Sequence, residues 1–121
     1  MVEKNSFEES YKLFWENVLN FNGRTRRSDF WQPLLINVII AFVLELIFDS
    51  YTAQSVITLL LGLSNLSCCI RRLHDIGKKW TWYLIGLIPL VGLILLIVWY
   101  AQDSDHGTNA FGPSPKYPDM L

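Results

Sequence analysis

The chain has 121 residues, with ten Lys and Arg, eleven Asp and Glu, a formal net charge of −1 and 51% hydrophobic residues. This length allows a single domain, and the balanced charge gives no reason to expect a nucleic-acid partner. Apolar and charged residues form separate blocks instead of alternating at helix or strand spacing. Residues 80–100 carry no charge, whereas residues 20–29 contain three arginines. This segregation indicates an integral membrane protein.

Residues 7–21 are predicted to form an amphipathic helix. Ser6 and Glu9 make an S-x-x-E capping box, which marks a helix start. Apolar residues then recur on one helical face: Phe7, Tyr11, Phe14, Trp15, Val18 and Leu19. Because that face is rich in aromatic residues, it favours a helix lying in the membrane interface. Packing of the same face against the rest of the protein is the alternative.

Three transmembrane helices are predicted, over residues 30–48, 53–70 and 81–100, which makes the fold class an all-α membrane protein. Twenty helical residues reach about 30 Å, the thickness of a hydrocarbon core. Aromatic residues flank both ends of the third segment, as in belts at two interfaces. Pro89 lies inside it and is predicted to kink the helix. Residues 102–121 are predicted to form an extended, turn-rich tail that is ordered by contacts.

The distribution of Lys and Arg predicts the orientation. Five of these residues precede the first span, none separates the first two spans, four separate the second from the third, and Lys116 alone follows. Positive residues favour the cytoplasmic side. The N-terminus is therefore expected in the cytoplasm and the C-terminal tail outside.

Two basic motifs lie on the predicted cytoplasmic side, GRTRRSDFW at residues 23–31 and RRLHDIGKKW at residues 71–80. They set topology, bind anionic lipid headgroups, or pair with each other through Asp29 and Asp75; these three interpretations stay open. The candidate functional residues in them are Gly23, Arg24, Arg26, Arg27, Trp31, Arg71, Arg72, His74, Asp75 and Gly77.

His74 and Asp75 suggest a general base with an orienting carboxylate. Neighbours in sequence rarely point at each other, however, and a metal site would need further ligands. Cys68 and Cys69 are also adjacent, which disfavours an ordinary disulfide between them. We therefore expect no catalytic centre, no metal and no cofactor.

Polar residues within the spans form a second candidate site. Asn37 and Glu45 share one face of the first span, and Asn65 lies with Thr58 and Gly62 on one face of the second. Intramembrane carboxylates are candidates for function. The pattern predicts a polar seam between the two spans, and the alternative is that Glu45 reaches the outer interface.

The motifs GRTRRSDFW, RRLHDIGKKW and GTNAFGPSP occur in this order. Together they resemble the bacterial inner-membrane family called domain of unknown function 805, the YhaH/YhaI-like proteins, over about residues 11–115. The resemblance implies a small helical protein of the bacterial inner membrane, and it implies no activity, cofactor or catalytic residue.

The function expected from these features is that of a non-enzymatic membrane component that self-associates or binds a membrane protein partner. Membrane lipids, with anionic headgroups at the cytoplasmic face, are further expected partners. Two alternatives remain open: a subunit of a small oligomeric channel or transporter, and an enzyme that acts on lipid headgroups.

Overall fold

The computed structural model describes residues 2–117. It contains four α-helices, one 3₁₀ helix and a minimal antiparallel ladder, in the order α1 Phe7–Glu16, α2 Arg27–Ile47, α3 Tyr51–Asp75, the 3₁₀ helix Trp80–Leu87, α4 Val91–Ala101, β1 Thr108–Asn109 and β2 Gly112–Pro113. The predicted all-α class is confirmed. The last four residues of the predicted tail, 118–121, lie outside the described residues.

Helices α2 and α3 form an antiparallel pair, joined by the short loop of residues 48–50. We call the end of the pair at this loop the distal end, and the end that carries residues 24–29 and 68–75 the basic end. Helix α2 has 21 residues, which reach about 31 Å, and both helices are long and apolar enough to cross a membrane. Large apolar side chains cover their outer surfaces, as expected of helices that face lipid.

Pro33 lies in the second turn of α2 because the helix begins at Arg27, three residues before the predicted start. A proline there leaves the carbonyl of Asp29 without its usual i+4 donor. The Cys68 thiol of α3 points at this oxygen, with 3.9 Å between the Sγ and O atoms. The neighbouring helix thus supplies a weak substitute donor, and α2 continues through the proline.

Helix α1 packs across the basic end of the α2–α3 pair. The predicted capping box is present, since Ser6 Oγ accepts from the Glu9 N–H and Glu9 Oε1 accepts from the Ser6 N–H. The helix ends at Glu16 instead of residue 21. Beyond it, the side chains of Asn17 and Asn20 accept hydrogen bonds within the turn, and asparagine side chains of this kind compete with helical bonding.

The prediction of a continuous third transmembrane helix over residues 81–100 is wrong. The segment enters as the 3₁₀ helix, turns at residues 88–90 and returns as α4. At about 2.0 Å per residue for 3₁₀ and 1.5 Å for α-helix, each arm is about 16 Å long, roughly half of a 30 Å hydrocarbon core. Residues 80–101 therefore form a hairpin of two short arms instead of one long helix.

Three residues at and after the turn explain this hairpin. Pro89 does more than kink a helix, because it lacks the N–H that a continuing helix needs, and Leu90 after it has a positive φ of 64°. Gly92 then lets the arms touch: a Cβ added there would lie 1.8 Å from the Ile85 carbonyl oxygen. The close approach requires glycine.

The two ends of the hairpin meet at the basic end. Trp82 from the entering arm and Trp99 from the returning arm pack edge to face, with 5.7 Å between ring centroids, and the ammonium of Lys78 lies over both rings. The predicted aromatic belts at two interfaces are therefore one cluster at a single end.

The tail lies at this same end, contrary to the prediction that it lies across the membrane from the loop after α3. The Asp105 N–H donates to the Asp75 carbonyl, and the Val2 N–H donates to the Lys116 carbonyl. The tail through Tyr117 thus covers the basic motifs. It is ordered by contacts, as predicted.

Candidate functional site

Asp75, the last residue of α3, is the centre of a buried ionic cluster at the basic end. Its Oδ1 accepts from Arg24 Nε at 2.9 Å, and its Oδ2 accepts from Arg72 at 3.0 Å. Ser104 Oγ donates to Oδ2 at 2.5 Å. The Asp75 and Arg72 side chains are 0% exposed and Arg24 is 1% exposed. We call these four residues the clamp; charges buried this deeply are tolerated when they are paired and hydrogen-bonded.

Arg24 connects the clamp to the tail. A guanidinium has five N–H donors, and here each has an acceptor: Asp75 Oδ1 and the carbonyl oxygens of Asp75, Asp105, Gly107 and Gly112, at distances from 2.8 to 3.1 Å. Three of these carbonyls belong to the tail. Arg24 is therefore a single side chain that ties the loop before α2 to α3 and to the tail.

The carbonyl oxygens at the end of α4 accept hydrogen bonds from Arg72 and from two residues of α2. The last carbonyls of a helix have no partner within it. Here Arg72 donates to the carbonyls of Tyr100 and Gln102, Trp31 Nε1 donates to Tyr100 O, and Arg27 donates to Ala101 O. Positive groups at a helix C-terminus are also favoured by the helix dipole. These contacts fix the returning arm of the hairpin to the spanning helices.

Gly77 closes α3 in a Schellman motif. The Gly77 N–H donates to His74 O and the Lys78 N–H donates to Leu73 O, the pattern of a helix that ends on a left-handed residue. Gly77 has a φ of 80°, and an added Cβ would lie 2.9 Å from Asp105 Oδ2. Glycine at this position serves both the helix end and the approach of the tail.

His74 and Asp75 do not form the predicted pair. His74 Nδ1 bonds to Gly23 O at 2.9 Å, and its ring stacks on Phe111 with 4.0 Å between centroids. The Asp75 carboxylate is bonded to Arg24, Arg72 and Ser104 instead. Among the described residues, the Asp75 carboxylate therefore does not orient the His74 ring.

Two further arginines hold the N-terminal region. Arg71 Nε donates to Thr25 Oγ1, and its NH1 donates to the carbonyls of Asn17 and Asn20 at 2.6 Å. Arg26 donates to the carbonyls of Val2 and Glu3. The two basic motifs are thus joined, as one of the three interpretations proposed. The proposed pairing of Asp29 with arginine is not seen among the described residues: its carboxylate accepts from Asn5 and Ser10.

Asp103 and Lys116 link the two ends of the tail. Burial alone would raise the pKa of Asp103, but hydrogen bonds from Tyr117 and Lys116 outweigh it and hold this pKa well below the usual range. The same hydrogen bond to Asp103 raises the pKa of Lys116. Both groups stay charged near neutral pH.

The structure also brings together the polar residues within the spans. Asn37, Glu45 and Asn65 line one cavity of about 210 Å³ between α2 and α3, with Thr58 and Gly62. Thr58 Oγ1 donates to Glu45 Oε1 at 3.2 Å. Asn37 accepts from the Tyr11 hydroxyl, and its buried amide nitrogen has no hydrogen-bond partner among the described residues. The predicted seam between the two helices is therefore present, while the alternative, that Glu45 reaches the outer interface, stays a prediction.

The tail residues that bond to the end of α3, one of them in the clamp, were missed by sequence reasoning. Ser104, Asp105 and Asn109 all bond to the end of α3, yet they were assigned to the other side of the membrane. The ordered GTNAFGPSP motif was the available signal. Among residues 2–117, no group of three or more His, Cys, Asp or Glu side chains is placed to hold a metal ion.

These features define a small α-helical integral membrane protein whose basic residues gather at one end. Its residues 18–113 match the family model described as "Protein of unknown function (DUF805)", and the chain belongs to this family. It is 34% identical to the inner membrane protein YhaH of Escherichia coli K12 over 115 residues, covering 88% of this chain and 95% of YhaH. It is 30% identical to the inner membrane protein YhaI of the same strain over 112 residues, with the same coverage. No solved structure matches the chain.

Proposed function

We propose that this protein is a non-enzymatic component of the bacterial inner membrane that self-associates through its re-entrant hairpin. The observation that carries the proposal is the tip of the hairpin. The backbone between Leu87 and Val91 is neither helix nor strand, and the side chains of Leu87 and Leu90 are 80% and 72% exposed in the single chain.

Irregular backbone is stable at membrane depth where its polar groups are hydrogen-bonded or buried, and at the tip the carbonyls of Ile88, Pro89 and Leu90 accept from backbone N–H groups of the hairpin. A second copy of the chain would instead cover the exposed side chains of Leu87 and Leu90. The hairpin surface fits this role because residues 80–101 carry no charge, so the hairpins of two copies can pack against each other.

Disulfide crosslinking in native membranes tests this proposal. In a background of Cys68→Ala and Cys69→Ala, Leu90→Cys should give a crosslinked dimer. Leu60→Cys on α3, which is similarly exposed at 61%, controls for random collision. Native mass spectrometry should show a defined oligomer. A monomer, or equal crosslinking at both positions, would refute self-association through the hairpin.

We also propose that the basic end faces the cytoplasm. In the structure all ten Lys and Arg residues lie at this end of the α2–α3 pair and none lies in the distal loop, which is the arrangement that positive residues favour. Anionic headgroups of that leaflet are then its expected lipid partners. Cysteines introduced at Lys79 and His106 should both react with an impermeant maleimide in inside-out vesicles and stay unreactive in right-side-out ones. Reaction of the two from opposite sides would refute this topology.

A channel or transporter subunit is the second candidate, favoured by the cavity that Asn37, Glu45 and Asn65 line. The two spanning helices and the hairpin of one chain enclose no pathway, so an oligomer would have to form it. Flux of small ions into proteoliposomes should then fall in Glu45→Gln and in Asn65→Leu. Absence of flux in the wild type, or variants that match it, would rule this candidate out.

A further inference from the structure

A second cavity at the basic end, of about 410 Å³, is lined by cations. Lys4, Arg26, Arg27 and Lys116 border it, and none of its lining residues is acidic. Among the described carboxylates, Asp103 alone forms ion pairs with any of the four, at 2.9 Å to Lys116 and 3.7 Å to Arg27. The cavity therefore keeps a surplus of positive charge.

Arg26 differs from the other cations of the cavity because it is buried and held in place. Its side chain belongs to a residue that is 6% exposed, and its NH1 is held by the carbonyls of Val2 and Glu3 at 3.1 and 3.0 Å. Its Nε and NH2 groups have no acceptor among residues 2–117. A guanidinium fixed on one edge and free on the other is preorganised for a planar or tetrahedral oxyanion.

The start of α2 adds neutral donors. Arg26 occupies the N-cap position and makes no side-chain cap, so its side chain leaves the first N–H groups of a 21-residue helix uncapped. Arg27 and Ser28 of that first turn, at the positive end of the helix dipole, line the cavity. Ser28 also lines the cavity, and its side chain carries a hydroxyl. It is buried and has no hydrogen-bond partner among the described residues.

The remaining wall is aromatic. Phe7 of α1 and Trp31 of α2 line the cavity. The Phe7 side chain is half-exposed in the single chain. Basic side chains next to aromatic side chains, in a cavity at a membrane interface, suit a phosphate group that is attached to an apolar molecule.

We propose that this cavity binds a phosphate-bearing anion, with Arg26, Ser28 and the N-terminus of α2 as its donors and Lys4 and Arg27 as flanking charges. The site rests on the proposed contact of the basic end with anionic lipid and is independent of self-association. The phosphate can belong to a lipid headgroup or to a free phosphate ester, and the experiment separates these sources.

The test is native mass spectrometry of the full chain in mild detergent, titrated with phosphatidylglycerol or phosphatidylcholine. The first phosphatidylglycerol should bind at least about tenfold more tightly than phosphatidylcholine, and Arg26→Gln should remove about this factor, which equals 1.4 kcal/mol. Lys4→Gln, at an exposed residue whose change leaves the fold intact, should weaken binding severalfold. Lys79→Gln is the matched control, exposed at the same end but outside the cavity, and should bind as the wild type does.

Free glycerol phosphate identifies the source. If it displaces phosphatidylglycerol from the wild type and binds by itself, the site takes phosphate esters in general; if it does neither while the lipid preference holds, the ligand is a lipid headgroup. Equal loss of binding in Lys79→Gln and Lys4→Gln would support general attraction of the basic end to anionic lipid and overturn this site. Equal affinity of the wild type for phosphatidylglycerol and phosphatidylcholine would overturn the specific site and also the general attraction of the basic end to anionic lipid.

Discussion

Helix α2 and the segment of residues 80–101 are apolar, similar in length and interrupted by one proline each, yet α2 spans and the other segment turns back. Pro33 lies near the start of α2, where one carbonyl loses its donor and Cys68 of the neighbouring helix points at it. Pro89 lies in the middle of its segment, where Leu90 adopts a positive φ and Gly92 contacts the Ile85 backbone. Whether such a segment spans or turns back depends on the position of its proline and on the residues that can contact the chain there. Hydrophobicity does not distinguish the two segments.

The largest expected effect is at Gly92. An alanine there would place its Cβ 1.8 Å from Ile85 O, so the two arms must separate, at a cost of about 3 kcal/mol or more. Thermal unfolding in detergent should show a large drop in Tm for Gly92→Ala. Gly62→Ala in the spanning helix α3 is the control: nothing lies within 4 Å of its added Cβ, and Tm should be unchanged or higher.

Next comes the clamp that fixes the returning arm and the tail. Asp75→Asn leaves Arg24 and Arg72 buried without their counter-charge, and removal of one partner of a buried pair costs about 3–5 kcal/mol. Limited proteolysis should then cut residues 102–117 much faster than in the wild type. Asp103→Asn changes a carboxylate that is 40% exposed and should cost about 1 kcal/mol or less. Equal protease resistance of Asp75→Asn and wild type would contradict the role of the clamp.

Pro89→Ala tests the comparison directly. Restoring the N–H favours a continuous helix by about 3 kcal/mol, in competition with the contacts that hold the tail. A cysteine at His106 should therefore become reactive to an impermeant reagent from both sides of the membrane, as the chain divides between hairpin and span. Pro33→Ala should leave the labelling pattern unchanged. A purely one-sided pattern in Pro89→Ala would show that the tail contacts alone dictate the hairpin.

The smallest effect is the pH dependence of Asp103. Its folded-state pKa is lowered, below an unfolded value of about 3.9, so the carboxylate stabilises the tail above that pH and the contribution is lost as pH falls through the folded-state pKa. The difference in Tm between wild type and Asp103→Asn should be complete at pH 6 and shrink below about pH 3.9. A difference that stays constant at acidic pH would mean that the carboxylate charge has no part in it.

Several local features followed from residue pattern alone because they depend on neighbours within one turn of helix. The capping box at Ser6 and Glu9 formed as predicted, and so did the faces that carry Asn37, Glu45 and Asn65. Helix bounds were less accurate. Helix α1 is shorter than predicted because asparagine side chains take over hydrogen bonding after Glu16, and α2 starts earlier because Arg26 and Arg27 are held by other parts of the chain.

By itself, the sequence determined that the protein is helical, that it resides in a membrane, and that seven of its ten Lys and Arg residues lie in two motifs, because composition and periodicity show which segments are stable in lipid. The tertiary structure alone decided that the last apolar segment returns and that Asp75 joins Arg24 and Ser104 instead of His74. Both outcomes depend on contacts between distant residues, such as the Gly92 backbone against Ile85 and the tail carbonyls around Arg24. The hydrophobicity of a stretch of sequence does not reflect the free energy of such contacts.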